Sequence, residues 1–419
     1  MFKEVKRFFK IISRWTPIIA RYLAAYAELH IFHPDMTKRH MWLITEKHGE
    51  ARDNGYHLFK FLRTEHPELD VRFVITSDST DRSKVEPYGN LVEQDSREHF
   101  LYYLAAECSI GSQCSGAYPM IMVPEVYRLT RPLRRKGQKC VFLQHGVTQN
   151  ALDHKDWFYS EHVQDLIVAS AEREREFIER IYGYPPGYVQ NLGFCRFDNL
   201  CGRQDDAERI VLVMPTWRKW LSASDITKPA TAAEMETFKR NEYFARYSEL
   251  LHSDRLLKIL QKYDYRLIFY PHYALQSYIS AFCGAEEDTD ERRIFIASRR
   301  RYDVQELIIK SAVLITDYSS VLFDFAYMDK PMVFYQFDEK EFRDKHYREG
   351  YFSYKDDGFG EVVQDKESLL DELEAILESG CKLAPKYVER RDRFFEPADG
   401  RNCERNYEAI LKLLDRTKE

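Results

Sequence analysis

The chain has 419 residues, of which 44% are hydrophobic and 31% charged. This composition excludes a mainly disordered protein, and at roughly 100–200 residues per domain it predicts two or more domains. The net charge of −6 argues against a protein that coats nucleic acid. The eight cysteines form no Cys-x-x-Cys pair, and no apolar run reaches roughly 18 residues. We therefore expect a cytoplasmic protein with no structural zinc and no membrane-spanning helix.

The first segment, residues 1–35, has the pattern of a basic amphipathic helix that breaks or kinks at Pro17. Its expected membrane contacts are aromatic and basic: Phe8, Phe9, Trp15, Lys6, Arg7 and Lys10. A helix of this kind lies in the plane of an anionic membrane surface, which predicts peripheral attachment to the inner face of the cell membrane. The same pattern also suits a helix packed on the protein body with its lysines in water, and both alternatives stay open.

Short apolar segments alternate with helical patterns along the rest of the chain. Ten of these segments are predicted strands: 41–45, 71–76, 140–144, 165–170, 188–194, 210–215, 265–271, 293–298, 312–316 and 331–335. Continuous apolar strands between helices indicate parallel sheets that are covered on both faces. The sequence therefore predicts an α/β protein with two doubly wound, Rossmann-like domains facing a central cleft. The polar stretch 201–209 is the predicted linker. It separates an N-terminal α/β domain (36–203) from a C-terminal α/β domain with closing C-terminal helices (204–419).

Polar residues follow four of these strands directly, at the strand ends where doubly wound sheets bind ligands. They are His145 with Gly146, then Arg218, then His272, and finally Asp317 with Ser319 and Ser320. Together they suit a phosphorylated substrate, because arginine binds phosphate through two N–H groups and histidine exchanges protons near neutral pH. Each alone has an ordinary alternative, such as a surface ion pair or a histidine beside the core.

The Ser319-Ser320 pair is expected to cap a helix that begins near Val321. Backbone N–H groups at the start of that helix, together with the two hydroxyls, would form an anion site. A plain helix cap is the alternative for this pair. The Asp288-Thr289-Asp290 sequence lies in an acidic stretch and is better explained as a solvated turn than as a metal site. No metal and no cofactor is therefore expected.

Four motifs together, MPTWR, QHG, YPH and TDYSSVLFDF, closely resemble those of the CDP-glycerol glycerophosphotransferase family of teichoic acid and capsule polymer synthesis. The resemblance extends over roughly residues 40–412. It implies a two-domain GT-B fold, often with peripheral membrane association. It also implies transfer of glycerol phosphate from CDP-glycerol to a hydroxyl of a lipid-linked or polymeric acceptor, with release of CMP. By the same resemblance 36–203 is the acceptor-side domain and 204–419 the donor-binding domain. His145 is then the catalytic base, and the donor-binding residues are Arg218, His272, Asp317, Ser319, Ser320 and Asp324.

One departure from the family concerns the acceptor side. Teichoic acid polymerases usually have a His-Gly-Thr-Pro sequence, whereas this chain has His145-Gly146-Val147-Thr148, so Gly146 and Thr148 are expected near an acceptor of open identity. A glycosyltransferase with a nucleotide-sugar donor, a transferase of another CDP-polyol such as CDP-ribitol, and a non-catalytic membrane-associated binding protein remain alternatives. A homo-oligomer is also left open.

Overall fold

The computed structural model describes residues 2–47, 49–114, 116–119, 129–152, 157–161, 163–221, 228–282, 293–298 and 302–415, without the side chains of 2–14 and 161. The chain divides into two compact units. Unit 1 consists of Met1–Val147, Asp153–Asn199 and Asp399–Glu419. Unit 2 consists of Thr148–Leu152 and Leu200–Ala398.

Unit 1 contains a seven-stranded parallel sheet in the order β3-β2-β1-β4-β5-β6-β7. Its strands are β1 (Met41–Thr45), β2 (Asp70–Ile75), β3 (Leu91–Glu93), β4 (Cys108–Gly111), β5 (Lys139–Phe142), β6 (Leu166–Ala169) and β7 (Val189–Asn191). The helices of its first two segments are α1 (Phe2–Phe32), α2 (Asn54–Glu65), α3 (Arg82–Val85), α4 (Arg97–Ala105) and α5 (Glu172–Tyr182). The strand order reverses between β1 and β4, which is where sheets of this kind bind ligands.

Unit 2 contains a six-stranded parallel sheet in the order β10-β9-β8-β11-β12-β13. Its strands are β8 (Glu208–Val213), β9 (Arg266–Phe269), β10 (Ile294–Ile296), β11 (Ser311–Thr316), β12 (Met332–Tyr335) and β13 (Gly360–Val363). Its helices are α6 (Ala232–Lys239), α7 (Glu242–Leu251), α8 (Asp254–Tyr263), α9 (Val304–Lys310), α10 (Val321–Tyr327), α11 (Glu339–Lys345), α12 (Lys366–Glu378) and α13 (Pro385–Phe394). The two doubly wound sheets and all ten predicted strands are confirmed. The predicted cleft between the domains stays a prediction.

Helix α1 continues through Pro17, so of the predicted break or kink the break is wrong. Its second half packs on the body of unit 1, burying Ile18, Tyr22, Ala25 and Leu29 at helical spacing. This packing stabilises the helix on the C-terminal side of Pro17, which has no N–H group to donate to the carbonyl four residues before it. Trp15 packs against the same cluster, although it was expected at a membrane. The side chains of Lys6, Arg7, Phe8, Phe9 and Lys10 lie outside the described residues.

The C-terminal helix corrects the predicted domain boundaries, since residues 399–419 belong to unit 1 and not to the second domain. Helix α14 (Asn402–Asp415) is fixed at its start by Asp198. The carboxylate of Asp198 accepts hydrogen bonds from the backbone N–H groups of Asn402 and Cys403 at 2.8 and 2.7 Å. Gly193 passes so close to Asn402 that a Cβ at residue 193 would lie 1.8 Å from its amide oxygen. These contacts bind the last helix to the first sheet.

Candidate active site

His145 lies just beyond the carboxyl end of β5, on the side of the unit 1 sheet where ligands are expected. Its Nδ1 lies 3.2 Å from the backbone oxygen of Ser112, the residue that follows β4. A carbonyl oxygen only accepts hydrogen bonds, so Nδ1 carries the proton in this contact. In the neutral ring, Nε2 therefore keeps its lone pair and can accept a proton.

The protein around His145 lowers the pKa of its imidazole below the ordinary value. Loss of solvation is the largest cause, and the positive charges of Arg196 and Lys47 act in the same direction. The hydrogen bond to Ser112 acts in the opposite direction but is outweighed. Since an ordinary histidine titrates at about 6.5, His145 is mainly neutral at neutral pH. The side chain still reaches the surface of unit 1, although protein atoms around the ring reduce its solvation. A neutral, oriented and accessible imidazole has the properties of a general base.

Arg218 is fully buried, and its guanidinium is directed at protein groups. It donates through Nε and Nη2 to the two carboxylate oxygens of Asp338 at 2.7 and 2.9 Å. Its Nη1 donates to the Thr216 carbonyl at 2.7 Å, and Nη2 lies 2.8 Å from the Asp317 carboxylate. The expected direct contact between Arg218 and a substrate phosphate therefore does not fit this geometry. Burial acts to lower the pKa of Arg218, but the two carboxylates outweigh it and hold that pKa well above its ordinary value.

Asp317, also fully buried, organises the loop that follows β11. One of its carboxylate oxygens accepts the backbone N–H groups of Thr216 and Tyr318 at 2.7 and 2.6 Å. Gln336 donates to the Asp317 carbonyl at 2.9 Å, and Gln149 donates to the Tyr318 carbonyl at 2.8 Å. Asp317 thus acts with Arg218 to join the ends of β8 and β11, and its carboxylate is not presented to a ligand.

The partly exposed residues of this region are Ser319, Ser320 and His272. The Ser319 hydroxyl accepts the backbone N–H of Val321 at 3.4 Å, whereas the Ser320 side chain makes no capping hydrogen bond to α10. His272 accepts the backbone N–H of Ala274 at Nδ1 (3.3 Å), which leaves the ring proton on Nε2 in the neutral form. These three side chains can donate hydrogen bonds to an anion.

The remaining predicted site residues are divided between the two units. Gly146 belongs to unit 1 and is partly exposed, whereas Thr148 belongs to unit 2 and is 5% exposed. Asp324 is likewise 5% exposed, within α10. Asp288 and Asp290 lie outside the described residues. Among the residues that are described, no group of three or more histidine, cysteine or acidic side chains is placed to hold a metal ion.

Sequence reasoning missed five buried polar residues that hold these loops: Asn54, Ser112, Gln144, Glu174 and Asp338. Ser112 follows a strand as the predicted residues do, but β4 is short and is not among the ten predicted strands. The other four act through hydrogen bonds between distant parts of the chain. No local pattern in the sequence identifies those bonds.

The comparison with protein families decides where the chain belongs. The family model described as CDP-Glycerol:Poly(glycerophosphate) glycerophosphotransferase matches residues 25–412. The chain is a member of this glycerophosphotransferase family. Its sequence is 31% identical over 403 residues to the Minor teichoic acid biosynthesis protein GgaB of Bacillus subtilis (strain 168), an alignment that covers 94% of this chain and 42% of GgaB.

A second curated relative and one solved structure are also similar to this member of the glycerophosphotransferase family. A Teichoic acid glycerol-phosphate transferase of Staphylococcus aureus is 25% identical, with 63% of this chain and 64% of that protein covered. The chain thus spans less than two thirds of the length of either curated relative. The solved structure of the Wall Teichoic Acid Polymerase TagF matches with a TM-score of 0.67 at 18% identity, covering 99% of both chains. This likeness confirms the predicted two-domain GT-B fold.

Proposed function

We propose that this protein transfers glycerol phosphate from CDP-glycerol to a hydroxyl of a teichoic-acid-type acceptor, lipid-linked or polymeric, and releases CMP. Membership of the glycerophosphotransferase family supports the donor. The observation that carries the chemistry is the His145 imidazole, whose Nδ1–H is held by the Ser112 carbonyl. That contact leaves Nε2 available to a substrate hydroxyl.

In the proposed reaction, the acceptor hydroxyl attacks the phosphorus that bears the glycerol. A new oxygen–phosphorus bond forms as the bond from this phosphorus to the oxygen of CMP breaks. The hydroxyl proton moves to Nε2 of His145, and the bonding electrons leave with CMP. Catalysis of phosphoryl transfer depends mainly on positioning and on charge stabilisation, so one base and a few fixed donors account for the step.

Unit 2 is the proposed donor-binding unit. The Ser319 and Ser320 hydroxyls and the Nε2–H of His272 are the groups we assign to the diphosphate, because they are partly exposed and can donate. Arg218 and Asp317 hold the Ser319 loop in place without contacting substrate. Helix α10 has only seven residues, so we assign the anion to these side chains rather than to the helix terminus.

A CMP-release assay with purified protein tests this proposal. CDP-glycerol, CDP-ribitol and a UDP-sugar are each supplied with and without a glycerol-phosphate oligomer on a lipid carrier. We expect CMP from CDP-glycerol only when the acceptor is present. If CMP is released only from CDP-ribitol, the transferred polyol is ribitol and not glycerol. If UDP is released from the sugar nucleotide, the protein is a glycosyltransferase. Tight donor binding without any release would indicate a binding protein.

We also propose that α1 contacts an anionic membrane surface in the plane of the bilayer. Support comes from the second half of α1, where Leu23, Ile31 and Phe32 are 51%, 67% and 72% exposed. Apolar exposure of this extent on a helix with basic neighbours favours a lipid surface. Within the described residues, no helix combines the length and apolar character needed to cross a membrane.

Vesicle sedimentation tests the membrane proposal. We expect the protein to pellet with vesicles containing phosphatidylglycerol, and to bind pure phosphatidylcholine vesicles more weakly. The double variant Leu23→Glu/Ile31→Glu is expected to lose binding. The control variant Ile181→Glu, at a 39% exposed apolar residue of α5, is expected to retain it. Equal loss in both variants, or no loss in either, would overturn the assignment of α1.

A further inference from the structure

The turn that carries His145 has an unusual backbone conformation. Gln144, the residue before it, has a φ of +58° although it is not a glycine. The left-handed region is disfavoured for residues with a Cβ atom, because the Cβ approaches the following carbonyl oxygen. Such a conformation persists only where surrounding contacts hold it. The direction in which His145 leaves β5 depends on those contacts.

The side-chain amide of Asn54 supplies two of these contacts. Its Nδ2 donates to the backbone carbonyls of Leu143 and Gln144, at 3.2 and 2.7 Å. Its Oδ1 accepts the backbone N–H of Arg196 at 3.1 Å, which fixes which end of the amide faces the turn. Asn54 has no solvent exposure. Both ends of the amide are therefore committed, and neither is available to a substrate.

Asn54 is itself fixed, because it is the first residue of α2 and the start of that helix is tied down. The Glu46 carboxyl group accepts the backbone N–H groups of Arg52 and Asp53 at 2.7 and 2.9 Å. The hydroxyl of Ser112 accepts the backbone N–H of Gly55 at 3.1 Å. The carbonyl of the same serine accepts Nδ1–H of His145. One residue thus joins the start of α2 to the imidazole.

The far side of the turn is held by the Gln144 side chain. Its Nε2 donates to the Val168 carbonyl at 2.6 Å and to the Glu174 carboxylate at 3.2 Å. Glu174 is fully buried, and its second oxygen accepts both the N–H and the hydroxyl of Ser170. The left-handed turn is therefore held from both sides by buried hydrogen bonds, with Asn54 on its backbone.

We infer that Asn54 is a positioning residue for the transfer reaction, which holds the Leu143-Gln144 turn so that His145 presents Nε2 to the acceptor hydroxyl. The inference rests on the proposed function, in which His145 is the base. Asn54 contacts neither substrate nor reacting atoms, and it acts through the backbone of the turn. Its loss is expected to lower kcat while leaving the KM for CDP-glycerol unchanged, since the donor residues belong to unit 2.

The test compares Asn54→Asp with a matched control, Asn90→Asp. The first substitution keeps the shape of the side chain but replaces the donating NH2 group by an oxygen. This oxygen repels the carbonyl oxygens of Leu143 and Gln144, so we expect the turn to shift. Displacement of a catalytic group by about 1 Å costs on the order of 100-fold in rate, and we expect kcat to fall by about 10- to 100-fold. Asn90 also donates its amide to a backbone carbonyl, that of Val71 at 3.1 Å. It precedes β3, an edge strand that lies far from β5 in the sheet order, so Asn90→Asp is expected to keep kcat.

Two further measurements separate positioning from simple loss of folded protein. Titration with CDP-glycerol gives the fraction of molecules that bind donor, and kcat is calculated per binding site. Nitrogen-15 NMR of the His145 ring reports the Nδ1–H tautomer, which we expect to decrease in Asn54→Asp and to persist in Asn90→Asp. If Asn54→Asp does not fold, Gln144→Gly replaces it. Glycine adopts the left-handed turn without strain but frees it to move, and the same loss in kcat is expected.

The outcomes distinguish this inference from the function on which it rests. If His145→Ala retains CMP release, the base is wrong and Asn54 has no such role. If His145→Ala is inactive while Asn54→Asp and Gln144→Gly keep the wild-type kcat per binding site, the positioning role alone is overturned. A fall in kcat that is equal in Asn54→Asp and Asn90→Asp also overturns it, because the effect would then be general destabilisation.

Discussion

The two units hold their site residues by different means, although both use the carboxyl ends of a parallel sheet. In unit 1, His145 is oriented by the Ser112 carbonyl, and its turn by the amides of Asn54 and Gln144. In unit 2, the loop before Ser319 is held by Arg218 between two carboxylates. The groups that contact the His145 ring and the backbone of its turn directly are a neutral carbonyl and a neutral amide, whereas an ion pair holds the loop in unit 2.

The difference follows from what a nearby charge does to a titrating group. A full charge in contact with His145 would move the pKa of the imidazole by one unit for each 1.4 kcal/mol or so of interaction. That pKa would then also depend on whether a charged substrate is bound. Burial, with a further contribution from Asp53, raises the pKa of Glu46 to about 8, so this buried carboxyl in unit 1 is largely uncharged at neutral pH. Arg218 does not exchange a proton, so a fixed charge is no disadvantage there. Its ion pairs with Asp317 and Asp338 hold the Ser319 loop in place.

The largest expected effect is on catalysis in unit 1. His145→Ala removes the proposed base, and we expect acceptor-dependent CMP release to fall by about 10²- to 10⁴-fold. Donor affinity, measured by calorimetry with CDP-glycerol, is expected to stay at the wild-type value. His252→Ala, at an exposed histidine of unit 2, is the control and should keep activity. Because the pKa of His145 is lowered, the acid limb of the wild-type rate profile should lie below about pH 6.5.

The next effect is on the stability of unit 2. Arg218→Met leaves the buried carboxylates of Asp317 and Asp338 without a counter-charge, and removing one partner of a buried pair costs about 3–5 kcal/mol. We expect a large fall in the thermal midpoint. Arg246→Met, which removes an exposed i,i+4 pair with Glu242, should change it little. A variant of Arg218 with a normal midpoint but lost donor affinity would show that the guanidinium binds phosphate after all.

A third effect makes unit 1 sensitive to acid. His99 is 1% exposed, and burial lowers its pKa to about 4, against the opposing influence of the Ala117 carbonyl and Asp95. The folded state therefore binds its proton less readily than the unfolded state, where the pKa is about 6.5. The contribution of neutral His99 to the free energy of unfolding is fully present above about pH 6.5. It is lost as the pH falls towards 4, by about 3 kcal/mol in all. Urea unfolding of His99→Gln across this range should show a weaker pH dependence than wild type, and an equal dependence would contradict the assignment.

The smallest effect concerns a close approach within unit 2. A Cβ on Gly350 would lie 2.1 Å from the backbone oxygen of Gln149, and overpacking of this kind costs about 1–3 kcal/mol. Because Gln149 donates to the Tyr318 carbonyl, Gly350→Ala should raise the KM for CDP-glycerol as well as lower the thermal midpoint. A lower midpoint with an unchanged KM would show that this segment does not act on the Ser319 loop, to which we assign the donor.

The sequence was sufficient for the family, because the TDYSS motif is local, and for ten of the thirteen described strands, because buried parallel strands are short apolar runs. It did not predict the short strands β3, β4 and β13. It did identify the strand ends at which His145 and Asp317 lie. It did not show that Arg218 points into the protein, since that direction depends on Asp338, 120 residues away. The same limit applies to Asn54, which meets Gln144 90 residues later. The packing of α14 on unit 1 depends likewise on Asp198, about 200 residues earlier, and could not be predicted from the local sequence pattern.

The attachment of α14 to the first sheet has a consequence for how the protein is made. A ribosome delivers the seven strands of unit 1 and all of unit 2 before it delivers Asn402 and Cys403, whose N–H groups Asp198 accepts. Asp198 and Gly193 therefore lack their contacts with α14 while about 200 further residues are synthesised, at roughly 5–20 residues per second. The order of synthesis and the order of completion are reversed in this chain: the unit that begins first is the one that finishes last.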